Sequence, residues 1–274
     1  MKKIKLIFIY FLLAMTIFAQ EGYIASFNTL RLGKSQKDYI LTAQSLEMFD
    51  IVGLIEVMDV EGVEKLVNAL DKVSGEKWDY HISPYPVGKS SYKEYFAYVW
   101  KKNKVDFLKK RGFYKDIEGK FARPPYGADF KMGEFDFTFV LVHSVFGKNE
   151  SARRAEAFKM NEVYDYFQNL DSKENDVIIA GDFNLSGFDE AFEKLLSHPD
   201  KIIYALSPVI KTTLGKKNLA SSYDNMFLST MYTKEFIGKS GALDFTQGQY
   251  RIMKEKISDH LPIFIVVDIS EDDD

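Results

Sequence analysis

Apolar runs and helical spacings alternate along most of the chain. Segments rich in apolar residues predict strands at residues 23–27, 51–55, 78–83, 95–101, 135–142, 177–180, 223–228 and 263–267. The strands at 51–55 and 177–180 are predicted to be buried, because they are uninterrupted apolar runs. Apolar positions at i, i+3, i+4 and i+7 predict amphipathic helices, at 36–49, 63–70, 151–170 and 192–196. Mixed strands and helices of this kind are typical of a layered α/β domain.

Polar side chains that handle metals and phosphates stand at the ends of these predicted strands. Four follow an apolar run and two precede one: Asn28, Glu56, His143, Asp182, Asp259 and His260. Every strand must end somewhere, so each position alone also fits an ordinary turn. Six such residues favour a functional site instead, and we expect them to converge on one edge of a layered sheet.

The segment Gly181-Asp182-Phe183-Asn184 follows the apolar run at 177–180. Gly181 lets the backbone turn or pass close to a ligand. Asp182 and Asn184 are two apart, so on an extended backbone they face the same way. A carboxylate beside an amide suits Mg²⁺, a phosphate-bound water, or both. The alternative is that these residues simply end a strand and begin a turn.

The chain has four histidines, and two of them stand at predicted strand ends. His143 and His260 are therefore candidates for acid–base chemistry. His81 and His198 are interpreted as structural, the first within a strand and the second at a helix end. Glu56 terminates a fully apolar run, so it is either solvated or a ligand for a hard metal ion.

The N-terminal residues differ in character from the rest. Three lysines precede the apolar run 6–18, and Ala19 follows, which is the pattern of a secretory signal peptide over residues 1–19. No Pro- or Gly-rich linker divides the remainder, so we predict one domain over 22–268 and an acidic tail over 269–274. The chain contains no cysteine, which excludes a lipid-anchored lipoprotein and stabilisation by disulfides.

The 274 residues carry a formal net charge of −4, and removing the three signal-peptide lysines would take it to −7. With 46% hydrophobic residues the chain can bury a large core, which argues against disorder. A mature protein this acidic has no global field that attracts nucleic acid. Any such binding must therefore come from a local basic patch or a bound metal.

The polar motifs resemble, in their chain order, those of the endonuclease/exonuclease/phosphatase superfamily. The matching segments are Ser26-Phe27-Asn28, Leu54-Ile55-Glu56-Val57, Val142-His143-Ser144, Gly181-Asp182-Phe183-Asn184, Tyr223-Asp224 and Ser258-Asp259-His260. Two further segments are similar to the deoxyribonuclease I family: residues 88–94, with its Tyr-Lys-Glu, and residues 121–125, with its Arg-Pro.

The resemblance implies a four-layer α/β sandwich, in which two mixed β-sheets pack face to face with helices on the outside. It also implies hydrolysis of a phosphodiester with a divalent metal, Mg²⁺ first and Mn²⁺ or Ca²⁺ as alternatives. By matching position, Glu56 and Asn28 would bind the metal, with Asp259 nearby. Asp182 and Asn184 would orient the attacking water and the scissile phosphate.

The resemblance further implies two histidine–carboxylate pairs and two substrate contacts. His143 would pair with Glu94, and His260 with Asp224. Each carboxylate would fix the tautomer of its histidine and favour the imidazolium. The substrate contacts would be Tyr92 and Arg123, beside the bound strand and its phosphates.

The sequence departs from the family at several positions. Met58 stands where the DNA-cutting family usually has an arginine that reaches into the minor groove. Leu219 stands at the spacing of a family threonine before the Tyr-Asp motif, although Thr212 and Thr213 lie upstream. The family's disulfides are absent. The segment 151–156 offers either phosphate-facing arginines or an ordinary solvated helix face.

Taken together, the sequence predicts a secreted metal-dependent nuclease, specifically a DNA endonuclease of deoxyribonuclease I type that acts on double-stranded DNA. Two alternatives stay open. One is a phosphodiesterase of the same superfamily on another substrate, such as sphingomyelin or an inositol phosphate. The other is a non-catalytic binding module on this fold.

Overall fold

The computed structural model describes residues 20–89, 92–147, 149–171 and 173–272. The predicted signal peptide and the last two residues of the predicted tail lie outside this range. Two mixed sheets of six strands each make up the centre of the described chain.

The first sheet has the strand order β11-β12-β1-β2-β4-β3. Its strands are β1 (Glu21–Leu32), β2 (Ile51–Val57), β3 (Trp78–Ile82), β4 (Tyr95–Lys101), β11 (Phe236–Ala242) and β12 (Ile263–Asp268). β1 and β2 run parallel, and the other neighbours are antiparallel. The apolar runs thus form the inner strands, where both faces are covered.

The second sheet has the order β5-β6-β7-β8-β10-β9. Its strands are β5 (Val105–Phe113), β6 (Tyr126–Met132), β7 (Phe135–His143), β8 (Val177–Asp182), β9 (Ile202–Tyr204) and β10 (Asp224–Ser229). β7 and β8 are parallel, with His143 in register with Asp182. The ends of both parallel pairs therefore carry the predicted site residues.

The helices are α1 (Tyr39–Gln44), α2 (Val60–Ser74), α3 (Glu150–Ala157), α4 (Met160–Gln168), α5 (Glu193–Leu196) and α6 (Tyr250–Lys256), with a 3₁₀ turn at Glu190–Phe192. The helix predicted over 36–49 is shorter than expected, and its apolar residue Ile40 is exposed. The helix predicted over 151–170 is interrupted at Phe158-Lys159, so it forms two helices.

The two sheets pack face to face across a continuous apolar core. Tyr98 of β4 lies in this core beside Phe139 of β7 and donates its hydroxyl to the carbonyls of Tyr126 and Phe139. At Gly53 of β2 a methyl group would come within 2.3 Å of the Leu141 side chain, so the sheets approach closely here. Burial on this scale is the main stabilising contribution to the fold.

Two further apolar clusters lie on the outer faces of the sheets. Val63 and Leu66 of α2 pack against Val52 and Leu54 of β2. On the other side, α4 packs on β7 and β8, and Phe167 is fully buried there. The order of layers is therefore helix, sheet, sheet, helix, which confirms the predicted four-layer α/β sandwich.

Candidate active site

An irregularity in β1 shapes one wall of the site. The register between β1 and β2 shifts between Asn28 and Leu32, so that extra residues of β1 bulge out. Leu30, Arg31 and Glu56 adopt left-handed backbone conformations, with φ of 47°, 62° and 58°. Bulges of this kind re-aim side chains at the edge of a sheet. Asn28 thus lies within β1, whereas the sequence predicted that it follows the strand.

Asn28 joins the two sheets at the centre of the site. Its amide nitrogen donates to Glu56 Oε1 and to Asp182 Oδ2, each at 3.2 Å. Asn28 and Asp182 are buried, and the Glu56 side chain is 15% exposed. Two carboxylates and an amide therefore converge where one carboxylate still reaches solvent.

His143 forms the first predicted pair. Its Nδ1 lies 2.6 Å from Glu94 Oε1, and Arg123 Nε lies 3.0 Å from the other oxygen of Glu94. Burial alone would raise the pKa of Glu94, but His143 and Arg123 outweigh it and hold that pKa below its usual value. Burial alone would lower the pKa of His143, but Glu94 raises it above the usual value.

His260 forms the second predicted pair, with Nδ1 2.8 Å from Asp224 Oδ2. Thr212 donates its hydroxyl to the same oxygen at 2.6 Å and accepts from the backbone amides of Tyr223 and Asp224. Burial would lower the pKa of His260, but Asp224 and Asp182 raise it to about 10. Leu219, at the family's spacing, has no such contact, so the chain meets this requirement with Thr212.

Both histidines turn their free nitrogen toward Asp182. His260 Nε2 lies 3.5 Å and His143 Nε2 3.9 Å from Asp182 Oδ2. Burial and the nearby Asp224 carboxylate raise the pKa of Asp182, although both imidazoles oppose this. Asp182 is thus a buried carboxylate between two imidazole rings, which suits it to hold a polar reactant.

The glycine before Asp182 allows β8 to pass close to the backbone of β7. At Gly181, with φ of 150°, a methyl group would lie 1.8 Å from the Val142 carbonyl oxygen of the adjacent strand. Asn184 also supports the backbone. Its side-chain amide donates to the Ser144 carbonyl at 2.9 Å, and its own backbone amide donates to Asp182 Oδ1 at 2.9 Å.

Buried supporting residues also lie behind the site, and the sequence reasoning did not assign them roles. Arg153 Nε donates to the Phe146 carbonyl at 2.5 Å and its Nη1 to the Asn184 carbonyl at 3.3 Å, so this arginine faces inward. Glu156 accepts from the backbone amides of Ala122 and Val145. Arg154, its sequence neighbour, is exposed and pairs with Asp189. Neither interpretation of segment 151–156 is therefore right for Arg153.

The two predicted substrate contacts lie together on the rim. The Tyr92 hydroxyl donates to Glu56 Oε2 at 2.9 Å, and the guanidinium carbon of Arg123 lies 5.6 Å from the Tyr92 ring centroid. Arg123 also donates to the His143 carbonyl at 3.3 Å. The Arg123 side chain is only 12% exposed, and its guanidinium contacts Glu94 and the His143 carbonyl. Its main role in this structure is therefore to hold these two residues in place.

Asp259, which was predicted to lie near the metal, pairs with a lysine. Its Oδ2 pairs with Lys254 Nζ at 3.0 Å. Lys37 approaches the same region, where its Nζ donates to the Ile257 carbonyl at 2.5 Å. Burial lowers the pKa of Lys37 to about 8, while Asp259 and Glu56 oppose this shift.

The donor set fits a divalent cation. Glu56 supplies a partly exposed carboxylate oxygen next to the Asn28 amide, and hard cations prefer such oxygen ligands. Asp182, Asp224 and His260 form a second, buried group whose potential ligand atoms lie within 4.8 Å of one another. The hydrogen bond to Asp224 already occupies Nδ1 of His260, and all three residues are buried, so the Glu56 side is the more open one.

Known proteins resemble this chain both in sequence and in fold. No family model matches the chain. A deoxyribonuclease of Thioalkalivibrio sp. (strain K90mix) is 25% identical over 256 residues, which cover 89% of this chain and 70% of that protein. Deoxyribonuclease-1 of Bos taurus is 26% identical over 283 residues, 93% of this chain and 96% of that protein.

Solved structures share the fold over nearly the same span. An endonuclease/exonuclease/phosphatase family protein from Bacteroides thetaiotaomicron covers 90% of this chain and 98% of its own, with a TM-score of 0.64 and 18% identity. This chain is similar in sequence and in fold to proteins of the endonuclease/exonuclease/phosphatase superfamily. Within the superfamily it is similar to the deoxyribonuclease I-like proteins. A mannosyl-6-phosphatase from the same organism matches equally far, with a TM-score of 0.61, 19% identity and coverage of 90% and 99%.

Proposed function

We propose that this protein is a divalent-metal-dependent nuclease that hydrolyses DNA. The observation that carries the proposal is the convergence of two histidine–carboxylate pairs on Asp182. Both pairs fix the Nδ1 side of the ring, so each Nε2 faces the same small volume. A binding module would have no physical need for buried charges arranged in this way.

The arrangement suits an anionic phosphodiester. An attacking hydroxide is repelled by the anionic phosphodiester unless positive charge neutralises the phosphate. The pKa of His260, raised to about 10, keeps that ring cationic near neutral pH, so its Nε2–H group can donate to a phosphate oxygen. Glu94 raises the pKa of His143 as well, which favours the same role for its Nε2. Asp182 is then the acceptor that can orient the water and take its proton.

Glu56 and Asn28 would hold the divalent cation, with Mg²⁺ as our first choice and Mn²⁺ or Ca²⁺ as alternatives. A cation there supplies neutralisation of the developing negative charge on oxygen. Asp259 would act at the margin of this site, because Lys254 already pairs with it. Tyr92 would compete for Glu56 when the cation binds, since its hydroxyl donates to that carboxylate.

Several features support DNA as the substrate, and double-stranded DNA first. Relatives that are similar over most of the chain carry the name deoxyribonuclease. Tyr92 and Arg123 lie on one rim of the site, where a strand could pass. The alternative is another phosphoester, for which the similarity to a mannosyl-6-phosphatase gives a specific reason.

The decisive assay incubates pure protein with supercoiled plasmid, with and without EDTA. Nicked and linear products in the sample without EDTA, and none with it, support the proposal. A parallel panel contains a sugar phosphate, an inositol phosphate and sphingomyelin. Turnover of one of these with the plasmid left intact would contradict the assignment of DNA.

We also propose that the protein is exported, cleaved after Ala19, with the domain at 22–268. Among the residues the structure describes, no helix is long and apolar enough to cross a membrane. N-terminal sequencing of protein from the producing cell tests the proposal. We expect a start near Gln20 outside the cytoplasm, and an intact Met1 in the soluble cytoplasmic fraction would rule it out.

A further inference from the structure

Arg31 is an exposed arginine at the rim of the site that the catalytic arrangement does not use. The chain has six arginines. Four of them pair with carboxylates: Arg111, Arg123, Arg154 and Arg251. Arg153 is buried and donates to backbone carbonyls. Within the described part of the chain, no carboxylate oxygen lies within 4 Å of the Arg31 guanidinium, so its charge is available.

Arg31 lies against the same ring as Arg123. Its guanidinium carbon is 5.4 Å from the Tyr92 ring centroid, and that of Arg123 is 5.6 Å away. Arg123 is committed to Glu94 at 3.0 Å, whereas Arg31 is exposed. The Tyr92 hydroxyl donates to Glu56. The Tyr92 side chain therefore lies between Arg31 and the candidate metal ligand, and no carboxylate neutralises the Arg31 charge.

The backbone that presents Arg31 is in an unfavourable conformation. Arg31 has φ of 62° and Leu30 φ of 47°, both within the β1 bulge. A glycine would adopt these angles without the steric cost that Cβ imposes. Strained positions of this kind cluster at functional sites. The arginine at this position therefore favours a role for its side chain over a role in folding.

We propose that Arg31 binds a non-scissile phosphate of the nucleic acid, on the Tyr92 side of the reaction centre. The proposal rests on the nuclease function proposed above. A guanidinium suits this task because its planar donors match two phosphate oxygens. It matters more in this protein than in a basic one, because the acidic chain offers little long-range attraction to DNA.

Position 58 offers a second place for the same charge. The Met58 amide donates to the Leu32 carbonyl at 2.8 Å, so its side chain starts from the strand next to the Arg31 bulge. An arginine at position 58 would place a guanidinium on the same rim. Met58→Arg should therefore rescue a variant that lacks the Arg31 charge.

The test measures cleavage of a defined duplex at several salt concentrations. Arg31→Gln should raise KM about tenfold near 0.1 M salt and change kcat less than about twofold. It should also reduce the slope of log KM against log salt by roughly 0.9, the value for one lost phosphate contact. Lys72→Gln is the matched control, because this exposed lysine lies in the last turn of α2, at the end away from Glu56.

Two further variants separate binding from folding. Arg31→Gly should weaken binding like Arg31→Gln while keeping or raising the thermal unfolding midpoint, since it removes the left-handed strain. A purely structural arginine would instead lower that midpoint in both variants. Arg31→Gln/Met58→Arg should recover most of the salt slope.

Each outcome separates the two proposals. A parent enzyme that cuts duplex DNA, together with an Arg31→Gln variant of unchanged KM and slope, overturns the inference and leaves the nuclease function standing. A loss confined to kcat also overturns it. A parent that fails to cut nucleic acid overturns the proposed function, and the inference falls with it.

Discussion

At the scale of single residues, the site concentrates backbone strain. Six non-glycine residues have positive φ within the described chain, and four of them line the site: Leu30, Arg31, Glu56 and Asn184. Each left-handed residue costs on the order of 1 kcal/mol. The packed core offsets this cost. The left-handed conformation of Glu56 directs its carboxylate toward Asn28, and that of Asn184 places its backbone amide against Asp182.

Glu56 provides the first residue-level prediction. Glu56→Gln keeps the size of the side chain and removes the charge that holds a divalent cation. We expect an unchanged thermal midpoint, weaker Mg²⁺ binding by calorimetry, and a loss of hydrolysis of roughly 10³-fold or more.

The matched control for this change is Glu61→Gln, in the first turn of α2, where an exposed carboxylate pairs with Lys65. It should bind Mg²⁺ and cut DNA like the parent. Cleavage by Glu56→Gln within a few-fold of the parent at saturating Mg²⁺ would remove Glu56 from the metal site.

Thr212 shows what sequence spacing cannot supply at this scale. It lies twelve residues before Asp224 and meets it because an irregular segment folds back. A bridge between Thr213 and His260 holds that segment in place. The family's spacing indicated Leu219 instead. A sequence pattern gives only the separation along the chain, and it does not show which residue a folded loop brings against Asp224.

At the scale of elements, burial decides what the sequence reveals. β2, β7 and β8 are covered on both faces, so each reads as an uninterrupted apolar run and was predicted within about two residues. The outer strands β5, β9 and β11 were missed, and β5 has Lys109-Lys110-Arg111 at its middle. The inner strand β6 was missed as well, because Gly127, Asp129 and Lys131 interrupt its apolar residues. Polar outer strands carry no apolar run, and their place depends on a neighbour that the sequence does not identify.

Glu174, a buried acid shortly before β8, makes the free energy of unfolding depend on pH. Glu174 accepts from the Asp176 amide and lies near the Asp176 and Asp136 carboxylates. Burial first, and these two acids second, raise the pKa of Glu174 to about 9. Because the folded pKa lies above the ordinary value, the stabilising contribution is complete below about pH 4.5 and is lost as pH rises toward 9.

Glu174→Gln should remove this pH dependence, because the amide keeps the acceptor and never ionises. We expect the variant to be more stable than the parent by about 2 kcal/mol near pH 7.5, with the difference shrinking toward pH 5. Urea unfolding at several pH values measures it. Glu134→Gln, at an exposed position in the β6–β7 turn, is the control, and equal pH profiles for all three proteins would contradict the assignment.

At the scale of the whole molecule, the two sheets complete each other at the site. Glu94, just before β4, belongs to the first sheet and pairs with His143 of the second. His260, just before β12 of the first sheet, pairs with Asp224 of the second. Asn28 and Asp182 form a third link between the sheets. The face-to-face packing therefore assembles the chemistry, and neither sheet carries a complete pair.

We infer that the two histidine–carboxylate pairs, His143–Glu94 and His260–Asp224, act as a unit on one reaction around Asp182. Single-turnover cleavage of a duplex by His143→Ala, His260→Ala and the double variant tests it most directly, with folding checked by circular dichroism. His198→Ala is the control, because that histidine pairs with Asp165 at a helix end. We predict losses of roughly 10³-fold or more for each single variant and little further loss in the double variant, since groups that act as a unit are not additive. Losses that multiply, or a single variant that cuts like the parent, would contradict the account.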